Sequence, residues 1–125
     1  MQPEDVAKAL QSLPSRVLLQ TSAHASQSWC RFTAIAPETL HLLQAANPEL
    51  CLIGIDTPSL DPANSQQLPS HKTVFELALR VLENLVLDDV APGDYELIAL
   101  PLKLMDCDAS PVRAILRTLA KQQAG

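Results

Sequence analysis

Six residues, Leu50 to Ile55 (LCLIGI), form a nearly unbroken apolar run. A run of this kind is a strand buried on both faces, in a sheet covered by helices. A helix is predicted immediately before it. Pro37 stands at a favourable first helical position, Leu40 and Leu43 in the following ETLHLLQAA are spaced to face a core, and Pro48 lies beyond the end. Further upstream, Glu4 to Leu13 reads as a short leading helix ended by Pro14, and Arg16 to Gln20 (RVLLQ) as a strand. The polar stretch Thr21 to Arg31 (TSAHASQSWCR) has no period and reads as a loop; it carries the sole Trp. The order strand, loop, helix, strand predicts an α/β fold.

Beyond Ile55, the stretch DTPSLDPANSQQLPSH contains three prolines, which forbid a central strand and favour an ordered loop. Pro69 or Ser70 opens a short helix from about His71 to Leu79, the compact run VLENLVL follows, Pro92 and Gly93 turn the chain, and Tyr95 to Leu100 (YELIAL) reads as another buried strand. The tail is ambiguous. Ser110 and Pro111 make a fair helix start, whereas VRAILR alternates as a strand does; local rules favour the helix.

A chain of 125 residues suits one domain. With 47% apolar and 18% charged residues a folded core is expected, and with aromatics at 3% it must be mainly aliphatic. Nine Lys or Arg against 14 Asp or Glu give a net charge of -5, with no basic cluster, which argues against a nucleic-acid partner. Residues 1 to 20 lack a positive leader followed by an apolar run, so neither a signal peptide nor a membrane span is expected, and the cytoplasm is the default location. Cys30, Cys51 and Cys107 cannot all pair within one chain and show no zinc spacing, which fits a reducing compartment.

Among residues able to do chemistry, His71 stands where a Pro-rich loop meets a helix; it reads either as a polar residue on a solvated turn or as a ligand. Glu83 interrupts an apolar run, so it either points to water or is held by a partner such as a metal. Twelve residues of straight helix would separate the two by about 18 Å. They can cooperate only if the helix stops near Leu79 or Arg80 and residues 81 to 83 return as an extended segment. Asp56 and Asp61 follow the strongest strand, at the edge where α/β sheets bind ligands, although such residues also cap their own turns. Asp106 and Asp108, with Arg113 nearby, read as a solvated loop or as groups orienting a zwitterion. His24 reads as a surface loop residue and His41 as a helical side chain.

Several segments agree in order and spacing with a known family. LIGIDTPSLDP (52–62), Ser65, Ser70 with His71, LENLVLDDV (82–90), GDYELIALPL (93–102) and DASPVRAIL (108–116) closely resemble the bacterial kynurenine formamidase branch of the metal-dependent cyclase/formamidase family. The resemblance extends upstream through RVLLQT (16–21), Trp29 and FTAIAPET (32–39), and so covers almost the entire chain.

This resemblance implies an α/β fold with a mixed sheet and short covering helices, a homo-oligomer, and a divalent metal site, commonly zinc and often two ions. It implies hydrolysis of N-formyl-L-kynurenine to L-kynurenine and formate in tryptophan catabolism. His71 and Glu83 match family metal ligands. The resemblance also favours a strand over residues 112 to 117. Trp29 is the candidate to line the aryl pocket, with a place at a domain edge or subunit interface as the alternative. Asp56 and Asp108 are candidates to support the site. The family signature H-x-G-x-H-x-D-x-P-x-H is absent from residues 1 to 125. The chain is therefore expected to correspond to the C-terminal portion of a single cyclase-like domain, with catalytic residues upstream of residue 1 and little or no activity alone. The competing expectations are an inactive homologue acting in oligomerisation and another amide or lactam hydrolase of the same family.

Overall fold

The computed structural model describes residues 1–22 and 28–119, and of Ala9 the backbone alone. Two compact units are present, Met1–Asp89 and Val90–Gly125. In the first, α1 (Pro3–Val6) passes into a 3-10 segment (Ala7–Ser12), followed by β1 (Arg16–Leu19), α2 (Pro37–Ala46), β2 (Leu52–Ile55), α3 (Pro69–Glu76) and β3 (Arg80–Leu82). The leading helix expected over Glu4 to Leu13 is thus a single α-turn that tightens.

The three strands of this unit form a parallel sheet in the order β1-β2-β3, with Val17 beside Ile53 and Ile53 beside Val81. The apolar run therefore supplies the central strand. Ile53 and Ile55 are fully buried on one face, and Gly54 is buried on the other. On α2, Thr39, Leu40 and Leu43 are buried, and α2 ends where the Asn47 N–H bonds the Leu43 carbonyl at 3.1 Å. The aliphatic core joins these side chains to Ile35, Leu50, Leu60, Val74 and Leu79.

At Gly54 a Cβ would press on Leu18 Cδ2 and lie 2.7 Å from Leu85 Cδ1. Both are tips of flexible side chains, so a methyl group can be accommodated by small rotations, but a branched side chain cannot. Gly54→Val is expected to cost about 1–3 kcal/mol, as overpacked cores do, and urea denaturation followed by circular dichroism checks this.

The end of α3 sets up the site. The helix stops at Glu76, three residues earlier than expected, because Ala78 turns left-handed at φ 54°. There the N–H groups of Ala78 and Leu79 bond back to the carbonyls of Phe75 and Val74 at 3.1 and 3.0 Å. The Arg80 N–H then bonds the Cys51 carbonyl at 2.9 Å, and β3 opens beside β2. Residues 71 and 83 are thereby placed on a helix and just past a strand, as their cooperation requires.

In the second unit β4 (Tyr95–Ala99) and β5 (Ala114–Thr118) pair antiparallel, with Leu97 opposite Leu116 and Ile98 opposite Ile115. The helix that local rules favour after Pro111 is not formed. Cross-strand hydrogen bonds, these apolar pairs and a Glu96–Arg117 ion pair outweigh the local preference. Parallel and antiparallel pairing thus both occur, in separate sheets.

Candidate metal centre

The Pro-rich loop after β2 brings three polar side chains together at the start of α3. Asp61 is buried, at 1% exposure. Its Oδ1 accepts the Ser70 N–H at 2.9 Å, and its Oδ2 accepts the His71 N–H at 3.0 Å and lies 2.7 Å from His71 Nδ1. On the other side of the ring, His71 Nε2 lies 3.2 Å from Glu83 Oε1. That oxygen also accepts the Leu60 N–H at 3.0 Å. The chain therefore holds an imidazole between two carboxylates, with His71 and Glu83 about one-third exposed and Asp61 enclosed.

Burial alone would raise the Asp61 pKa, but hydrogen bonds from the Ser70 N–H and from the ring and N–H of His71 outweigh it and hold the carboxyl below its ordinary 3.8. A carboxyl depressed by folding stabilises the folded state fully above its unfolded pKa, and this contribution is lost as pH falls through the folded value. The stability advantage of the wild type over Asp61→Asn is accordingly expected to shrink as pH falls below about 4. Thermal unfolding of both proteins across that range provides the check.

The donor set suits a cation. An imidazole nitrogen and a carboxylate oxygen are ordinary zinc ligands, they face one another across 3.2 Å, and the two flanking carboxylates leave the cluster negative in either ring protonation state. Among the described residues, no group of three or more His, Cys, Asp or Glu is arranged to hold a metal ion. His71 also borders a concavity of about 370 Å³ with Leu68, Lys72 and Phe75, the last 85% exposed.

The other residues singled out by the sequence lie elsewhere. The buried Asp56 accepts the Thr21 N–H with both oxygens at 3.0 Å, securing the start of the loop that leads to Trp29 rather than touching His71 or Glu83. Thr57 bonds within its own turn, to the Ser59 carbonyl at 3.1 Å. Trp29 is largely exposed, its ring 5.9 Å from that of Phe32, and both border a concavity of about 490 Å³ with Pro62, Ala63 and Asn64. Asp108 is exposed in the loop between β4 and β5 of the second unit. His41 is exposed on α2, and His24 lies outside the described residues. Asp61, placed by its sequence position at the sheet edge, is the member whose contact with His71 the sequence did not disclose.

Comparison with known proteins gives this arrangement a context. No protein-family model matches the chain. Over 96% of its length the chain is 68% identical to a kynurenine formamidase of Polaromonas naphthalenivorans, of which it covers 53%. Over 94% of its length it is 56% identical to the kynurenine formamidases of Bordetella avium and Delftia acidovorans, covering 56% of each. The chain thus spans about half the length of these curated relatives. Two solved structures share its fold at a TM-score of 0.61 and 33% identity over 68% of the chain. One is described as a potential metal-dependent hydrolase with cyclase activity, the other as a "predicted metal-dependent hydrolase" from Bacillus stearothermophilus, and the chain covers 41% and 40% of them. Over most of its length the chain is thus similar in sequence to kynurenine formamidases about twice as long, and similar in fold to part of two proteins described as metal-dependent hydrolases.

Proposed function

We propose that this chain is the C-terminal portion of a single cyclase-like domain and carries part of the metal site of a kynurenine formamidase, which hydrolyses N-formyl-L-kynurenine to L-kynurenine and formate in tryptophan catabolism. The observation that carries the reading is the facing of His71 Nε2 and Glu83 Oε1 at 3.2 Å, in a chain 68% identical to such a protein. These two residues would hold a divalent ion, zinc by the nature of the donors. When bound, such an ion supplies Lewis acidity for attack on an amide. The chain's own part is to orient both donors, through Leu60 and Asp61, and to present His71 at an open concavity. Trp29 and Phe32 offer apolar ring surface suited to an aryl group, and Asp56 holds the backbone at Thr21.

A catalytic zinc takes three protein ligands and an open position, whereas two donors converge here. The 125-residue chain alone is therefore proposed to have little or no formamidase activity. In a chimera where it replaces the matching stretch of the Polaromonas naphthalenivorans protein, chelator-sensitive turnover of N-formyl-L-kynurenine is expected. Turnover by the isolated chain, or an inactive but folded chimera, would count against the proposal.

A second reading, self-association, is favoured by the exposure of Leu100, Leu102 and Met105 in the second unit, at 76, 57 and 75%. It is compatible with the first, and a homo-oligomer is our proposal for the working protein. The free thiols Cys30, Cys51 and Cys107 support a cytoplasmic setting, and among the described residues no helix is long and apolar enough to cross a membrane.

A further inference from the structure

We propose that Asp61 is the positioning residue of this centre: its buried carboxylate fixes the His71 ring with the proton on Nδ1 and leaves Nε2 as the donor that faces Glu83. The inference rests on the metal reading only for what Nε2 serves; the positioning itself belongs to the metal-free chain.

The carboxylate is first fixed by the backbone. The Ser70 and His71 N–H groups, one to each oxygen, hold it at 2.9 and 3.0 Å, and the Ser70 hydroxyl ties the same turn to the Ile35 carbonyl at 2.5 Å. An ionised carboxylate only accepts hydrogen bonds. Its 2.7 Å contact with Nδ1 therefore places a proton on that nitrogen. The lone pair of the neutral ring is then on Nε2, 3.2 Å from Glu83 Oε1. A histidine ligand commonly donates its second ring N–H to a carboxylate, which sets the ring orientation and raises the basicity of the ligating nitrogen. Two adjacent residues thus hold both donors: Leu60 holds Glu83 through its N–H, and Asp61 holds His71 through its side chain.

Asparagine at position 61 cannot reproduce this, because one of its two polar groups donates. With its carbonyl kept on the Ser70 N–H, its amide would take the place of Oδ2, lose the bond from the His71 N–H, face Nδ1 and shift the ring proton to Nε2.

The test uses the whole chain with nitrogen-15 histidine, metal-free at about pH 9, above the ordinary histidine range. Long-range proton–nitrogen spectra are expected to show wild-type His71 protonated on Nδ1. In Asp61→Asn the proton moves to Nε2, and calorimetric zinc affinity falls about 10–100-fold, while the circular dichroism spectrum is kept. A wild-type ring protonated on Nε2, or a folded variant with unchanged tautomer and affinity, would overturn the proposal. If Asp61→Asn does not fold, the wild-type spectrum decides alone. Nδ1 protonation in a wild type that takes up no zinc would uphold the positioning and refute the metal reading instead.

Discussion

Ile53→Ala lowers the stability of the chain by about 2–5 kcal/mol, the usual range for emptying a large aliphatic site in a core. Ile53 has no exposure, sits in the central strand, and has β1 and β3 paired on either side at Val17 and Val81. The matching change in the second unit, Ile98→Ala, removes a side chain already 36% exposed and is expected to cost much less. Urea denaturation followed by circular dichroism measures both. A cost below about 1 kcal/mol at Ile53, outside the core range, would contradict the arrangement of the sheet.

Loss of either proposed ligand has the second large effect. His71→Ala and Glu83→Gln are each expected to weaken zinc binding by the chain about a hundredfold, since one donor from two leaves little to hold the ion. The two changes differ in their effect on folding. A glutamine at position 83 can still accept the Leu60 N–H through its amide oxygen, so stability should hardly change. An alanine at position 71 leaves the buried Asp61 without its shortest partner, so some stability should be lost as well. Calorimetric titration paired with thermal unfolding separates these two quantities.

The elements legible in the sequence were those with local markers. Pro37 and the spacing of Leu40 and Leu43 defined α2 with its observed bounds, and the LCLIGI run located the central strand. The end of α3 was less visible, because the left-handed turn at Ala78 uses a residue that carries no turn signal. β5 was misread by the helix-start signal at Ser110 and Pro111, since its pairing with β4 spans a long loop; the alternation of VRAILR and the family resemblance both pointed to the strand. For the site, simple helix geometry stated what had to happen between His71 and Glu83, and the chain does it. The role of Asp61 stayed hidden for a different reason. Its contact with His71 crosses ten residues of irregular loop, a path that periodicity does not describe, while its neighbour in the same motif, Asp56, turns to Thr21 instead.

The most direct test is zinc-edge X-ray absorption on the zinc-loaded chain, with His71→Ala and Glu83→Gln as references. The account predicts an imidazole nitrogen and a carboxylate oxygen among the ligands, the first lost in His71→Ala and the second in Glu83→Gln. A zinc signal that is the same in all three proteins would place the ion elsewhere and contradict the account.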